Sequence, residues 1–327
     1  MIVSIFKKNY FLQLVLLILL PILLWVPAFL NPPKVIELSI FDMPLYNVLK
    51  YVFPTQSIVN TVISLVLIVG QALLINYIFT YYELTKKNSY FPAIIYVLLF
   101  SQDYRIMSFS SILFANSFII VALLTFLQCY NKNEGLDQIF LTSLLIAVAS
   151  LFNVIYIFMM LWIWIGLFNF KIYKWRPFFV SLFGMVTPYL ILMVFYYLNN
   201  QNDRIVEFFP THFAVLPKFE FLNQPIQIVY MAYLIILILP ALLYTVNYRN
   251  DQKLSVRKRT TTIVILFAVC LLPFLYLLES PVMNLIFTPC LAFMFTIFFF
   301  SIKRQLYSNL FILVLLVLTL AKIYINY

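Results

Sequence analysis

Residues 138–170 read QIFLTSLLIAVASLFNVIYIFMMLWIWIGLFNF, an apolar run without a single Asp, Glu, Lys or Arg. The orientation of everything after it depends on how this run divides. As one tilted span it would carry Lys171, Lys174 and Arg176, and after them Arg249, Lys253, Arg257, Lys258 and Arg259, to the outside of a membrane. As two short spans, 138–153 and 154–170, it keeps both basic groups inside, which is what the positive-inside rule requires. Two spans is the reading adopted. At 1.5 Å per residue, about sixteen residues reach only about 24 Å, so these spans are short for a bilayer and need thinning or shielding by neighbours.

Working outward, apolar runs recur near 9–30, 57–82, 89–102, 109–129, 177–198, 225–246, 261–278, 281–302 and 306–325. A spanning helix needs about twenty apolar residues, so the sequence predicts an all-α polytopic bundle of about eleven spans. Fifteen of the 21 basic residues then fall inside and six outside, the six including Lys34, Lys50, Arg105 and Lys322. The expected orientation is N-terminus in, C-terminus out. Lys7 and Lys8 precede a run from Phe11 to Leu30 with no small-residue cleavage site, which reads as a retained first span.

Composition points the same way. Of 327 residues, 65% are hydrophobic and 10% charged, and mean hydropathy is +1.02. A soluble domain carries roughly 25% charged residues, and no polar stretch here is long enough to fold separately. The expectation is a single integral membrane domain over 1–327 in a bacterial inner membrane. The net charge of +10 sits in short loops, where it serves orientation and headgroup contact, and gives no basic stripe for nucleic acid.

Several chemistries are excluded by inventory. One histidine, His212, cannot build an HExxH zinc site, and four scattered glycines cannot form a Walker loop, so neither metal nor ATP nor another cofactor is expected. Cys129, Cys270 and Cys290 lack ligand spacing and read as small buried hydrophobes. No internal or inverted repeat is visible.

The remaining candidates face outward. Outer loop 31–56 carries Asp42 ahead of a predicted surface helix, with Leu45, Val48, Leu49 and Val52 at helical spacing after Pro44. Asp42 reads either as a general base near a lipid-linked substrate or as a helix cap. Asp103 and Arg105 form a tight turn that either binds phosphate or a divalent ion or makes a local ion pair. Glu279, between Pro273 and Pro281, is an acidic group near membrane depth or an interfacial hairpin residue. His212 lies in outer loop 199–224, whose Phe-Pro and Leu-Pro breaks suit the interface, and is a titrating candidate or a hydrogen-bonded surface residue. The two outer loops are expected to pack together as a cap. Gln71, Asn76 and Asn116 lie within spans, where amides bond across helices for about 0.6–2 kcal/mol each.

The segments SSILFANSFIIVALL (110–124), TSLLIAVASLFNVIYIF (142–158) and YKWRPFFVSLFGMVTPYLILMVFYYL (173–198) resemble a family of multi-spanning inner-membrane proteins of Bacteroidota. The likeness covers about residues 85–200 and implies location and topology, with no residue role. A more distant likeness is to polyprenyl-phosphate-sugar glycosyltransferases, in which a first outer loop holds an acidic base and a surface helix. That likeness implies Asp42 as base and Asp103 as a metal or phosphate partner. The present first loop is shorter and lacks a paired acidic motif. The leading expectation is a non-enzymatic membrane subunit of an envelope export or surface-biogenesis assembly, partnered by lipid and by membrane or periplasmic proteins. The alternatives are a glycosyltransferase-like enzyme on lipid-linked glycan and a transporter or flippase.

Overall fold

The computed structural model describes residues 10–33, 42–53, 57–85, 89–132, 134–200, 225–276, 283–302 and 305–325. It is helical, and the described residues contain no strand beyond one isolated bridge. In chain order the helices are α1 (Tyr10–Leu24), α2 (Val26–Leu30), α3 (Pro44–Val52), α4 (Ile58–Tyr81), α5 (Phe91–Phe100), α6 (Ser111–Leu127), α7 (Leu136–Ser150), α8 (Met159–Asn169), α9 (Trp175–Leu198), α10 (Pro225–Asn250), α11 (Leu254–Tyr276), α12 (Thr288–Ser301) and α13 (Gln305–Ile325). Among the described residues, four are long and apolar enough to cross a membrane: α4, α9, α10 and the 306–325 part of α13.

Short polar caps start these helices inside an otherwise apolar sequence. Ser57 Oγ accepts the Val59 amide at 3.1 Å and opens α4, and Ser110 Oγ accepts the Leu113 amide at 3.2 Å and opens α6. Each satisfies a first-turn amide that has no helical partner. At the other ends, Asn131 and Lys171 turn the chain away after α6 and α8 with φ of 68° and 64°. After α8 the Ile172 amide reaches back to the Leu167 carbonyl and the Lys171 amide to Phe168, closing the last turn.

Helix α5 is the centre. All ten of its residues are buried, and it packs against α1, α4, α12 and α13. A helix that is apolar all round belongs in the interior, which explains a length too short to cross a bilayer unaided. Aromatic rings close the space around it, with Phe91 stacked on Phe300 at 5.0 Å and Phe79 on Phe293 at 4.8 Å. The longer helices α9 and α10 expose much of their apolar surface at the periphery.

The run 138–170 goes out and back. Lys132 before it and Lys171 after it line the same cavity, while its middle, Leu151–Asn153, lies at the opposite face against the first outer loop. The sequence predicts two directly joined spans. The structure inserts a 3₁₀ turn at Val154–Phe158, held by Asn153 Oδ1 accepting the Ile155 amide at 3.2 Å. Similar turns at Tyr104–Ile106 and Met283–Phe287 precede α6 and α12. Pro289 sits in the first turn of α12, where it breaks no helical hydrogen bond.

Helices α7 and α9 approach most closely at Gly184. A Cβ there would lie 2.0 Å from Ser143 Oγ and 2.7 Å from the Phe140 carbonyl oxygen. The hydroxyl can turn away but the carbonyl cannot, so Gly184→Ala should lower stability by about 1–3 kcal/mol through overpacking. Gly70 meets nothing within 4 Å, and Gly70→Ala should be neutral or stabilising by about 0.5–1 kcal/mol. Thermal midpoints of the two variants in detergent should therefore move in opposite directions or differ clearly; equal behaviour would contradict the close approach.

Candidate functional site

Of the candidates expected outside, Asp42, Asp103 and Arg105 lie at one face of the bundle, built from residues 42–53 and the turns after α5 and α7. Asp42 bridges Asn153 in antiparallel fashion. The Met43 amide donates to the Phe152 carbonyl at 3.1 Å and the Leu45 amide to the Leu151 carbonyl at 3.2 Å. These bonds pin the start of α3 onto the α7 turn. Asn153 continues the link by donating to Ser111 Oγ at 3.1 Å.

Asp42 is not the cap of α3. The capping position is Met43, which offers no side-chain bond, and Pro44 fills the first turn, where a missing amide costs nothing. The Asp42 carboxylate meets Lys50 at 3.1 Å, with the two side chains 3% and 19% exposed. Lys50 also sits 4.5 Å from the centre of the Tyr46 ring. Burial, and then the Asp42 charge, push the Tyr46 phenol well above its ordinary range, so it stays a donor, here to the Phe109 carbonyl at 2.9 Å.

Helix α3 exists where predicted, and the residue it buries deepest against the bundle is Tyr46. Tyr46 is buried, Leu45 and Leu49 are half-buried, and Val48 and Val52 are exposed. Tyr46 wins the inner position because its hydroxyl has a carbonyl waiting. The sequence reading did not single out Tyr46.

Asp103 and Arg105 form the expected ion pair, and with two bonds. Arg105 Nε reaches Oδ1 at 3.1 Å and an Nη reaches Oδ2 at 2.9 Å, while the Arg105 amide also donates to Oδ1. A third member was missed by the sequence reading. Lys322, near the end of α13, is fully buried with its Nζ 3.7 Å from Asp103 Oδ2 and 5.0 Å from the Tyr230 ring centre. Lys322 Nζ and the hydroxyl of the neighbouring Tyr230 are both buried without a hydrogen-bond partner among the described residues, so the contact to Asp103 is an ion pair only. The signal in the sequence was a lone lysine after a long apolar run, which had been counted as a peripheral outer charge.

Deeper in the bundle the span amides are taken up. Gln71 Nε2 donates to the Leu113 carbonyl at 2.8 Å and to Ser117 Oγ at 2.6 Å, and its Oε1 accepts from Tyr96. Asn116 Nδ2 donates to the Leu285 carbonyl at 3.0 Å, and its Oδ1 accepts from Tyr156 at 2.7 Å. Asn76 differs, since its Oδ1 is buried without a partner among the described residues. Glu279 and His212 lie outside the described residues, as does nearly all of outer loop 199–224. No group of three or more His, Cys, Asp or Glu side chains that could hold a metal occurs among the described residues. The three cysteines are free and buried.

The fold and its buried polar network are those of a helical bundle with candidate membrane spans. No protein-family model, curated protein or solved structure matches the chain.

The buried cluster carries one carboxylate against two cations. Removing the carboxylate strands Lys322, and breaking a buried pair in this way costs about 3–5 kcal/mol. Asp103→Asn should therefore sharply reduce the thermal midpoint and membrane yield. Adding Lys322→Met should recover most of the loss, because Arg105, 42% exposed, can turn to solvent. A double variant no better than the single one would show that Lys322 is not coupled to Asp103.

Proposed function

We propose that the chain is a non-enzymatic, multi-pass subunit of a bacterial inner membrane, contributing its bundle to an envelope assembly for export or surface-structure biogenesis. In this reading it has about eleven spans, with the N-terminus inside and the C-terminus outside. One observation carries it: the charged candidates within the described residues are engaged with one another. Asp42 is held by Lys50, and Asp103 by Arg105 and Lys322. A general base needs a carboxylate open to substrate, and Asp42 is 3% exposed in its side chain.

The transporter alternative loses support on similar grounds. Gln71 and Asn116 have their polar atoms committed to neighbouring helices, and α5 fills the centre with apolar side chains. The likeness to the Bacteroidota family agrees with this location and adds no residue role. Orientation draws on the grouping of Lys132, Lys171, Arg249, Arg257 and Lys258 at one face of the bundle. Solubilisation at native expression followed by affinity capture should recover a stoichiometric partner. A chain that purifies alone would overturn the subunit reading.

A second reading, an enzyme acting on lipid-linked glycan at the outer face, is favoured by one feature. Asp42 stands directly ahead of a docked amphipathic helix, the arrangement that the distant glycosyltransferase likeness implies. The two readings separate on Asp42→Asn. Loss of surface glycan at unchanged protein level would favour the enzyme; normal glycan would remove the reason for that reading.

A further inference from the structure

At the face opposite Asp42 and Asp103, the ends of α6, α8 and α10 and the start of α11 line an open cavity of about 650 Å³. Pockets for small ligands commonly span about 300–1,000 Å³, so the space suits more than a single inorganic ion. Five cationic side chains line it: Lys132, Lys171, Arg249, Arg257 and Lys258. Among the described residues no acidic side chain is in its wall. The neighbouring Glu134 is engaged elsewhere, 2.6 Å from Lys174, whose ammonium holds the Glu134 carboxyl below the usual carboxylate range.

Two ordinary explanations for these charges fall short on magnitude and geometry. Cations do favour helix C-termini, and three such ends meet here. Each end carries roughly −0.5 charge, and the N-terminus of α11 offsets one of them, leaving about −1 against five positive side chains. Orientation signals account for basic residues in loops, but they need not converge on one cavity. Here they do converge, and Lys171 and Arg257 stand close enough to repel the Lys258 ammonium.

The walls are rigid. Asn169 Nδ2 donates to the Lys258 carbonyl at 2.8 Å and Lys258 Nζ donates to the Asn169 carbonyl at 2.6 Å, locking α8 to α11. Trp162 adds a bond from Nε1 to the Thr262 carbonyl at 2.9 Å. Arg249 donates one Nη to Thr261 Oγ1 at 3.3 Å, and its Nε is buried without a hydrogen-bond partner among the described residues. An arginine fork beside lysines on this hydrogen-bonded frame suits the oxygen pattern of a phosphate group.

We propose that this cavity binds a phosphate-bearing ligand, either the headgroup of an anionic phospholipid or a soluble phosphate compound. The site is independent of the outer-face reading and would stand if that reading failed. The test uses the full chain and compares it with a Lys132→Gln/Arg257→Gln variant. Both side chains are exposed and neither takes part in the Asn169–Lys258 lock. One arm titrates inorganic pyrophosphate against chloride at equal ionic strength and follows the thermal midpoint in detergent. The other places the chain in nanodiscs of phosphatidylcholine alone or doped with phosphatidylglycerol.

Stabilisation by pyrophosphate beyond chloride, weakened about tenfold or more in apparent affinity by the variant, supports the site and assigns a soluble ligand. Stabilisation by phosphatidylglycerol only, again reduced in the variant, supports it and assigns a lipid headgroup. Equal response to pyrophosphate and chloride with no effect of phosphatidylglycerol would overturn the proposal. So would a response to either probe that the variant leaves unchanged.

Discussion

In hydrocarbon a polar atom has no water to fall back on, and each one left without a partner costs several kcal/mol. Helices meet this condition along their own backbones, but side chains and helix ends do not, and the arrangement of the bundle follows from how those are satisfied. The hydroxyls of Thr125 and Thr142 meet at 2.9 Å between α6 and α7, Ser150 and Tyr189 at 2.7 Å between α7 and α9, and Trp25 reaches Ser101 at 2.9 Å. None of these bonds is large alone. Each fixes a rotation of one helix against another, which apolar contact by itself leaves loosely specified.

The same condition separates the two faces of the molecule. At one face each carboxylate is buried against cations: Asp42 against Lys50, and Asp103 against Arg105 and Lys322. At the other the charges are like-signed, partly open to solvent and gathered round a cavity. Buried charge must be neutralised within the protein because nothing else can do it. Charge at an open rim can instead wait for an external counter-charge. The contrast is why the face with buried carboxylates reads as structure and the like-signed one as a place for an anion.

Much of the fold was legible because helix formation in an apolar sequence depends on local composition alone. Helices coincide with the apolar runs, and the short helix after Pro44 begins where its proline predicts. The division of 138–170 into two helices agrees with the charge-based reading in that Lys132 and Lys171 line one cavity. What escaped was set by contacts remote in sequence. Asp42 read as a cap because a carboxylate just ahead of a helix usually is one, yet Pro44 and the bridge to Asn153 leave that role unneeded. Lys322 read as a peripheral charge because nothing in its own segment shows that Asp103 will lie beside it. The interruption at 154–158 was equally hidden, since the Asn153 side chain stays apolar-run punctuation until its bond to the Ile155 amide is known.

Lys322 also bears on why a bundle of this kind tolerates buried charge at all. An apolar residue at that position would pack against Tyr230 with no carboxylate to reach. A lysine has one acceptable place, within reach of the Asp103 carboxylate, and any slip of α13 by a turn would leave it stranded. The desolvation of three charged groups is thereby exchanged for a unique position of the last described helix against the turn that follows the central one. Asp103 can serve two cations because the bidentate Arg105 bonds already hold it in place, so Lys322 meets a fixed carboxylate and not a mobile one. The Asp103–Arg105 turn thus anchors α13, which also packs on its neighbours α5 and α10.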